Sequence, residues 1–133
     1  MRILDEKIDN VLDTAHFRFV QLDGDIIKVF NRTPDEYISS SRAYCVEFYS
    51  EDEARVKYNE IKKEAGWFAF DWNNKPTLLN TFGFGRTFIN KTELPERDTY
   101  SIVFYNSEND EFSINYGEDY DAALNSLKGL INP

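Results

Sequence analysis

Residues 99–116 read TYSIVFY-NSEND-EFSINY. Two runs of aromatic and β-branched residues flank a five-residue polar break, the pattern of a β-hairpin. Alternation puts Tyr100, Ile102 and Phe104 on one face, answered across the turn by Phe112, Ile114 and Tyr116. On the other face the second run offers only Ser113 and Asn115, so that face should be wet. Asp119 to about Ile131 follows as a helix, with Tyr120, Ala123, Leu124, Leu127 and Ile131 on its apolar stripe.

Working back from this hairpin, Thr77 to Pro95 has no clear period and reads as a long loop with a short strand near Arg86–Ile89. Before it, Asn73–Pro76 is a turn, and Trp67 to Trp72 is a strand with Phe68, Phe70 and Trp72 on one face. Ser50-Glu51-Asp52-Glu53 is a capping box that opens a helix running to about Ala65, and Gly66 is placed to end it. Ala43 to Tyr49 is apolar on both faces, which fits a central strand. Arg32-Thr33-Pro34-Asp35 breaks the chain ahead of a short helical turn through Ile38 and a serine loop, Ser39–Ser41.

Nearer the N-terminus, His16–Leu22 and Ile26–Asn31 form a hairpin across Asp23-Gly24-Asp25. Ile3, Leu4, Ile8, Val11 and Leu12 fit one stripe of an N-terminal helix, leaving Asp5, Asp9 and Asp13 on a solvated face. The expected class is α+β: one acidic domain over residues 1–133. It has two layers, with a mostly antiparallel sheet of five to seven strands and an N-terminal, a central and a C-terminal helix.

The chain has 133 residues, 41% hydrophobic and 29% charged, a globular composition. No apolar run is long enough for a membrane span or a signal-peptide core. One cysteine excludes an internal disulfide and points to a reducing cytoplasm. The net charge is −9, and the segment from Thr92 to Asp121 alone carries nine acids against one base, Arg97. Such a field repels nucleic acid and anionic membrane and attracts basic partners.

Catalytic signatures are weak. The single histidine, His16, falls at a predicted helix-to-strand junction without a nucleophile motif, and Cys45 sits inside an apolar strand where thiols are inert. One His and one Cys cannot build a zinc shell, and the carboxylate pairs Asp23/Asp25 and Asp119/Asp121 have no EF-hand spacing. No metal or cofactor is expected. A hydrolase using paired carboxylates has no local motif by which to be recognised.

The 21 Phe, Tyr and Trp residues are generous for one small core. Some of Tyr37, Tyr44, Tyr49, Trp67, Trp72, Tyr105 and Tyr116 are therefore expected at the surface, where aromatics beside acids form binding hot spots. The leading expectation is a non-catalytic acidic inhibitor that masks a basic partner surface, such as that of a nucleic-acid-handling enzyme. Immunity proteins and phage anti-defence inhibitors have this size and charge. Glu108, Asp110, Glu111, Glu118, Asp119 and Asp121 would meet the partner's bases, with Tyr105 and Tyr116 as anchors. The alternative is a protein that sequesters an anionic nucleotide, a homo-oligomer in one version, using Phe82, Phe84 and Arg86 of the string FGFGRTF.

Overall fold

A computed structural model describes residues 1–31, 45–106 and 111–131. The helical turn and serine loop expected between Thr33 and Ser41, together with Tyr37, Tyr44, Glu108 and Asp110, lie outside the described residues. The chain forms two compact units, residues 1–80 and 81–133.

The first unit opens with β1 (Arg2–Asp5) and β2 (Asn10–Asp13), an antiparallel pair in which Ile3 faces Leu12 and Leu4 faces Val11. A hairpin therefore replaces the expected N-terminal helix. Ile3 and Leu12 are buried while Leu4 and Val11 are 53% and 56% exposed, a period of two rather than a helical stripe. Asp5, itself buried, sets the turn: its Oδ1 accepts from the Lys7 backbone N–H at 3.0 Å, and Asp9 takes a left-handed φ of 49°. A short 3-10 turn, Thr14–His16, follows, capped by Asp13.

Next come β3 (Phe19–Asp23) and β4 (Ile26–Phe30), joined at Gly24, whose φ of +62° at the first turn position matches a type II′ connection. Then follow β5 (Cys45–Glu47), α1 (Glu51–Lys62), β6 (Trp67–Trp72) and β7 (Lys75–Asn80). The strands make one antiparallel sheet in the order β5-β4-β3-β7-β6. β5 is at its described edge rather than at its centre. The expected long loop is displaced by β7, whose Thr77, Leu78 and Leu79 are all buried and so lack the alternation that marks a one-sided strand. Asn73 and Asn74, both at positive φ, close the β6–β7 hairpin.

α1 begins where the capping box predicts: the Ser50 hydroxyl accepts from the Glu53 N–H at 3.1 Å. Its buried stripe is Ala54, Tyr58 and Ile61, and the last two join Ile3, Leu12, Val20, Ile27, Val29, Val46 and Leu78 in one core. On the other face of the sheet Phe19 stacks on Phe30 at 5.3 Å and meets Phe70 edge-on.

The second unit contains β8 (Arg86–Glu93), β9 (Asp98–Tyr105), β10 (Glu111–Asn115) and α2 (Tyr120–Gly129). The sheet order is β10-β9-β8, antiparallel throughout. Phe104 faces Phe112 and Ile102 faces Ile114, the register expected from the alternation. α2 packs on β8 and β9. Only Ala123 of its stripe is buried; Tyr120 is exposed, as is Ile131 beyond the helix end.

The α+β two-layer expectation is thus overturned. Strand accounts for 47% and helix for 22% of the described residues, arranged as three separate sheets with two α-helices. Hairpins with short turns use the chain for strand where the sequence reading assigned an N-terminal helix and a long loop.

Candidate functional site

The expected partner-binding residues fall into two places. Tyr105 and Glu111 are cross-strand neighbours at one end of the β9–β10 hairpin. At the other end the Tyr116 N–H donates to the Tyr100 carbonyl at 2.8 Å, and residues 117–121 continue from there. Tyr105 lies five positions along β9 from Tyr100, roughly 17 Å at about 3.3 Å per step. Among the described residues, the acids and tyrosines do not form one patch.

The Tyr116 end is the more acidic. Glu118 pairs with Arg97 at 3.8 Å, and Asp119 caps α2 by accepting from the Ala122 N–H at 2.9 Å. Asp121 lies in the first helical turn, where the positive end of the helix dipole stabilises it. Lys91 sits between Asp98 and Glu93, 3.5 Å from each, and the charge of Asp98 is the main cause of its raised pKa. Much of this acidity is therefore answered locally by Lys91, Arg97 and the helix terminus.

The string from Phe82 to Phe88 divides its aromatics. Phe82 is 86% exposed, whereas Phe84 packs against Phe104 at 5.7 Å. Arg86 lies over the Phe88 ring at 4.4 Å, and Tyr105 is its cross-strand neighbour. A Cβ at Gly85 would meet nothing within 4 Å, so close packing does not require that glycine. His16 is exposed, with Asp13 at 3.9 Å, and Cys45 is half-buried in β5. Among the described residues no group of three or more His, Cys, Asp or Glu could hold a metal ion. No helix there is long and apolar enough to cross a membrane.

A further surface was hidden from sequence reasoning. Between β1 and α1 runs a groove of about 630 Å³ bordered by Leu4, Phe48, Tyr49 and Val56. Leu4, Tyr49 and Val56 are 53%, 68% and 59% exposed, and Val11, beside Leu4 on the hairpin, is exposed too. Five acids line the groove, Glu6, Glu47, Asp52, Glu53 and Glu60, against two bases, Arg2 and Lys57. Lys7 reaches Glu47 at 3.6 Å, Arg55 reaches Asp52 at 2.8 Å and Lys57 reaches Glu60 at 2.9 Å. Glu6 and Glu53 make no ion pair among the described residues. Lys7 also lies 5.2 Å from the centre of the Tyr49 ring, an electrostatic use of that face.

One signal for this groove was present in the sequence. Val56 stands off the Ala54–Tyr58–Ile61 stripe, alone among charged residues. Leu4 gave none, because the N-terminal apolar residues fit a helical stripe as well as a strand.

Compared with protein-family models, characterised proteins and solved structures, the chain matches none.

Proposed function

We propose that this chain is a non-catalytic binding protein of the cytoplasm that masks a basic surface of a partner protein. The observation that carries the reading is the acid-lined groove between β1 and α1, where Leu4, Tyr49 and Val56 are exposed together. Exposed apolar side chains in one patch, rimmed by polar groups, mark interaction sites. Tyrosine is enriched among residues that dominate binding energy. The excess of carboxylates selects the occupant: a segment whose apolar side chains enter the groove while its Lys or Arg side chains meet Glu6 and Glu53. The acids of the second unit add to the attractive field.

The nucleotide-binding alternative has less support, since Phe84 uses its ring against Phe104 and Arg86 covers Phe88.

The test is native mass spectrometry of the chain purified gently from cytosol, beside the triple variant Leu4→Ser/Tyr49→Ser/Val56→Ser. All three side chains are exposed, so folding should survive, as circular dichroism would verify. The expected result is a stoichiometric protein partner with the natural chain, lost at high salt and lost with the variant. A partner retained by the variant sinks the groove, and a chain that carries only a small molecule sinks the masking function.

A further inference from the structure

A second cleft lies on the opposite flank of α1. It encloses about 440 Å³, within the roughly 300–1,000 Å³ typical of small-molecule sites. One wall is a single helical stripe: Arg55, Tyr58, Asn59 and Lys62 stand at i, i+3, i+4 and i+7. The other wall is the end of the sheet, where Asp71 and Pro76 are cross-strand partners. Leu22, Ala69 and Phe70 complete an apolar lining.

Three polar groups line this cleft without a protein partner among the described residues. Tyr58 is 4% exposed, yet its hydroxyl makes no hydrogen bond among the described residues. Its oxygen is reached by solvent rather than sealed in the core, so it is open to a ligand. Lys62 and Asp71 make no ion pair there either, while Arg55 is held by Asp52 at 2.8 Å. Burial raises the Tyr58 pKa and the nearby charge of Asp71 adds to the shift, so the phenol stays protonated and able to donate.

The cleft thus presents a cation on its helical wall, an anion on its sheet wall, an unbonded hydroxyl and an apolar lining. We infer that it binds a small zwitterion with an apolar body, of the amino-acid class, its carboxylate toward Lys62 and its ammonium toward Asp71. A simple anion would meet Asp71 unfavourably, and a simple cation would meet Lys62 and Arg55. Only a ligand carrying both charges satisfies both walls. The inference is independent of the masking function, because neither Lys62 nor Asp71 borders the groove between β1 and α1.

The experiment is calorimetric titration of the whole chain with three probes of one carbon skeleton: L-phenylalanine, 3-phenylpropionate and phenethylamine. Phenylalanine should bind at least about tenfold tighter than either analogue, the effect of one charge-assisted contact. Lys62→Met should bring phenylalanine down toward phenethylamine, and Asp71→Asn should bring it down toward 3-phenylpropionate. Both side chains are exposed, so neither change threatens the fold. Tyr58→Phe, which keeps the packing, should weaken phenylalanine about five- to tenfold. No binding of phenylalanine at millimolar concentration, equal binding of the three probes, or indifference to both charge changes would overturn the assignment.

Discussion

At Asp23 one carboxylate oxygen, Oδ2, accepts from Lys28 at 2.7 Å and from Lys75 at 3.0 Å. This ties the β3–β4 turn to the start of β7. The hydrogen bond from Lys28 is the largest cause of a pKa held below the ordinary 3.8, and the bond from Lys75 lowers it further. A depressed acid stabilises the fold above its unfolded pKa, and the contribution disappears as pH falls through the folded value. Asp23→Asn should therefore lower stability at neutral pH. About a third of the side chain is in water, so screening limits the loss to about 0.5–1 kcal/mol. Urea unfolding of both chains across pH 2 to 7 checks it: the two curves should converge below about pH 4. A gap that stays constant with pH would assign the loss to turn geometry instead.

Among the elements, legibility tracks how many periods a segment can satisfy. The β9–β10 register was readable because Phe104/Phe112 and Ile102/Ile114 alternate cleanly with polar neighbours. α1 was readable because Ser50 and Glu53 are spaced for capping. The N-terminal segment was not, since Ile3, Leu4, Ile8, Val11 and Leu12 satisfy a helical stripe and a hairpin equally. The alternatives differ in which pair is buried, and that depends on α1 and the sheet supplying the core for Ile3 and Leu12. β7 was obscured by the reverse problem, having no polar face to mark a period. A helical reading of that segment hides the groove bordered by Leu4. A local element with a local signal should also respond locally. Ser50→Ala is expected to cost about 1 kcal/mol by removing the acceptor for the Glu53 N–H. Ser50→Asp should restore most of it, and denaturant midpoints of the three chains decide the matter. No loss in the alanine chain would mean the first turn is held by packing of Ala54 rather than by its cap.

Over the whole molecule, the proposed contact surface lies in the unit with the lower charge density. Residues 81–133 hold nine acids and four bases, a net −5, against fifteen acids and eleven bases, a net −4, in residues 1–80. The charge density is thus higher in the unit that lacks the apolar groove. If the groove makes the contact and the second unit adds attraction, the two contributions belong to different rate constants. Exposed charges outside a contact change association and its salt dependence, while buried anchors change dissociation. Replacing Glu108, Asp110 and Glu111 by Gln, Asn and Gln moves the net charge from −9 to −6 and alters no groove residue. Against the partner recovered with the natural chain, this variant should associate several-fold more slowly at low salt. The difference should vanish near 1 M salt, where the screening length falls to about 3 Å. Leu4→Ser/Tyr49→Ser/Val56→Ser should instead leave the association rate nearly unchanged and speed dissociation. Surface plasmon resonance on both variants resolves the two. If the charge variant sped dissociation and the groove variant did not, the contact would lie at the β9–β10 hairpin, and the groove would have to be given up as the docking site.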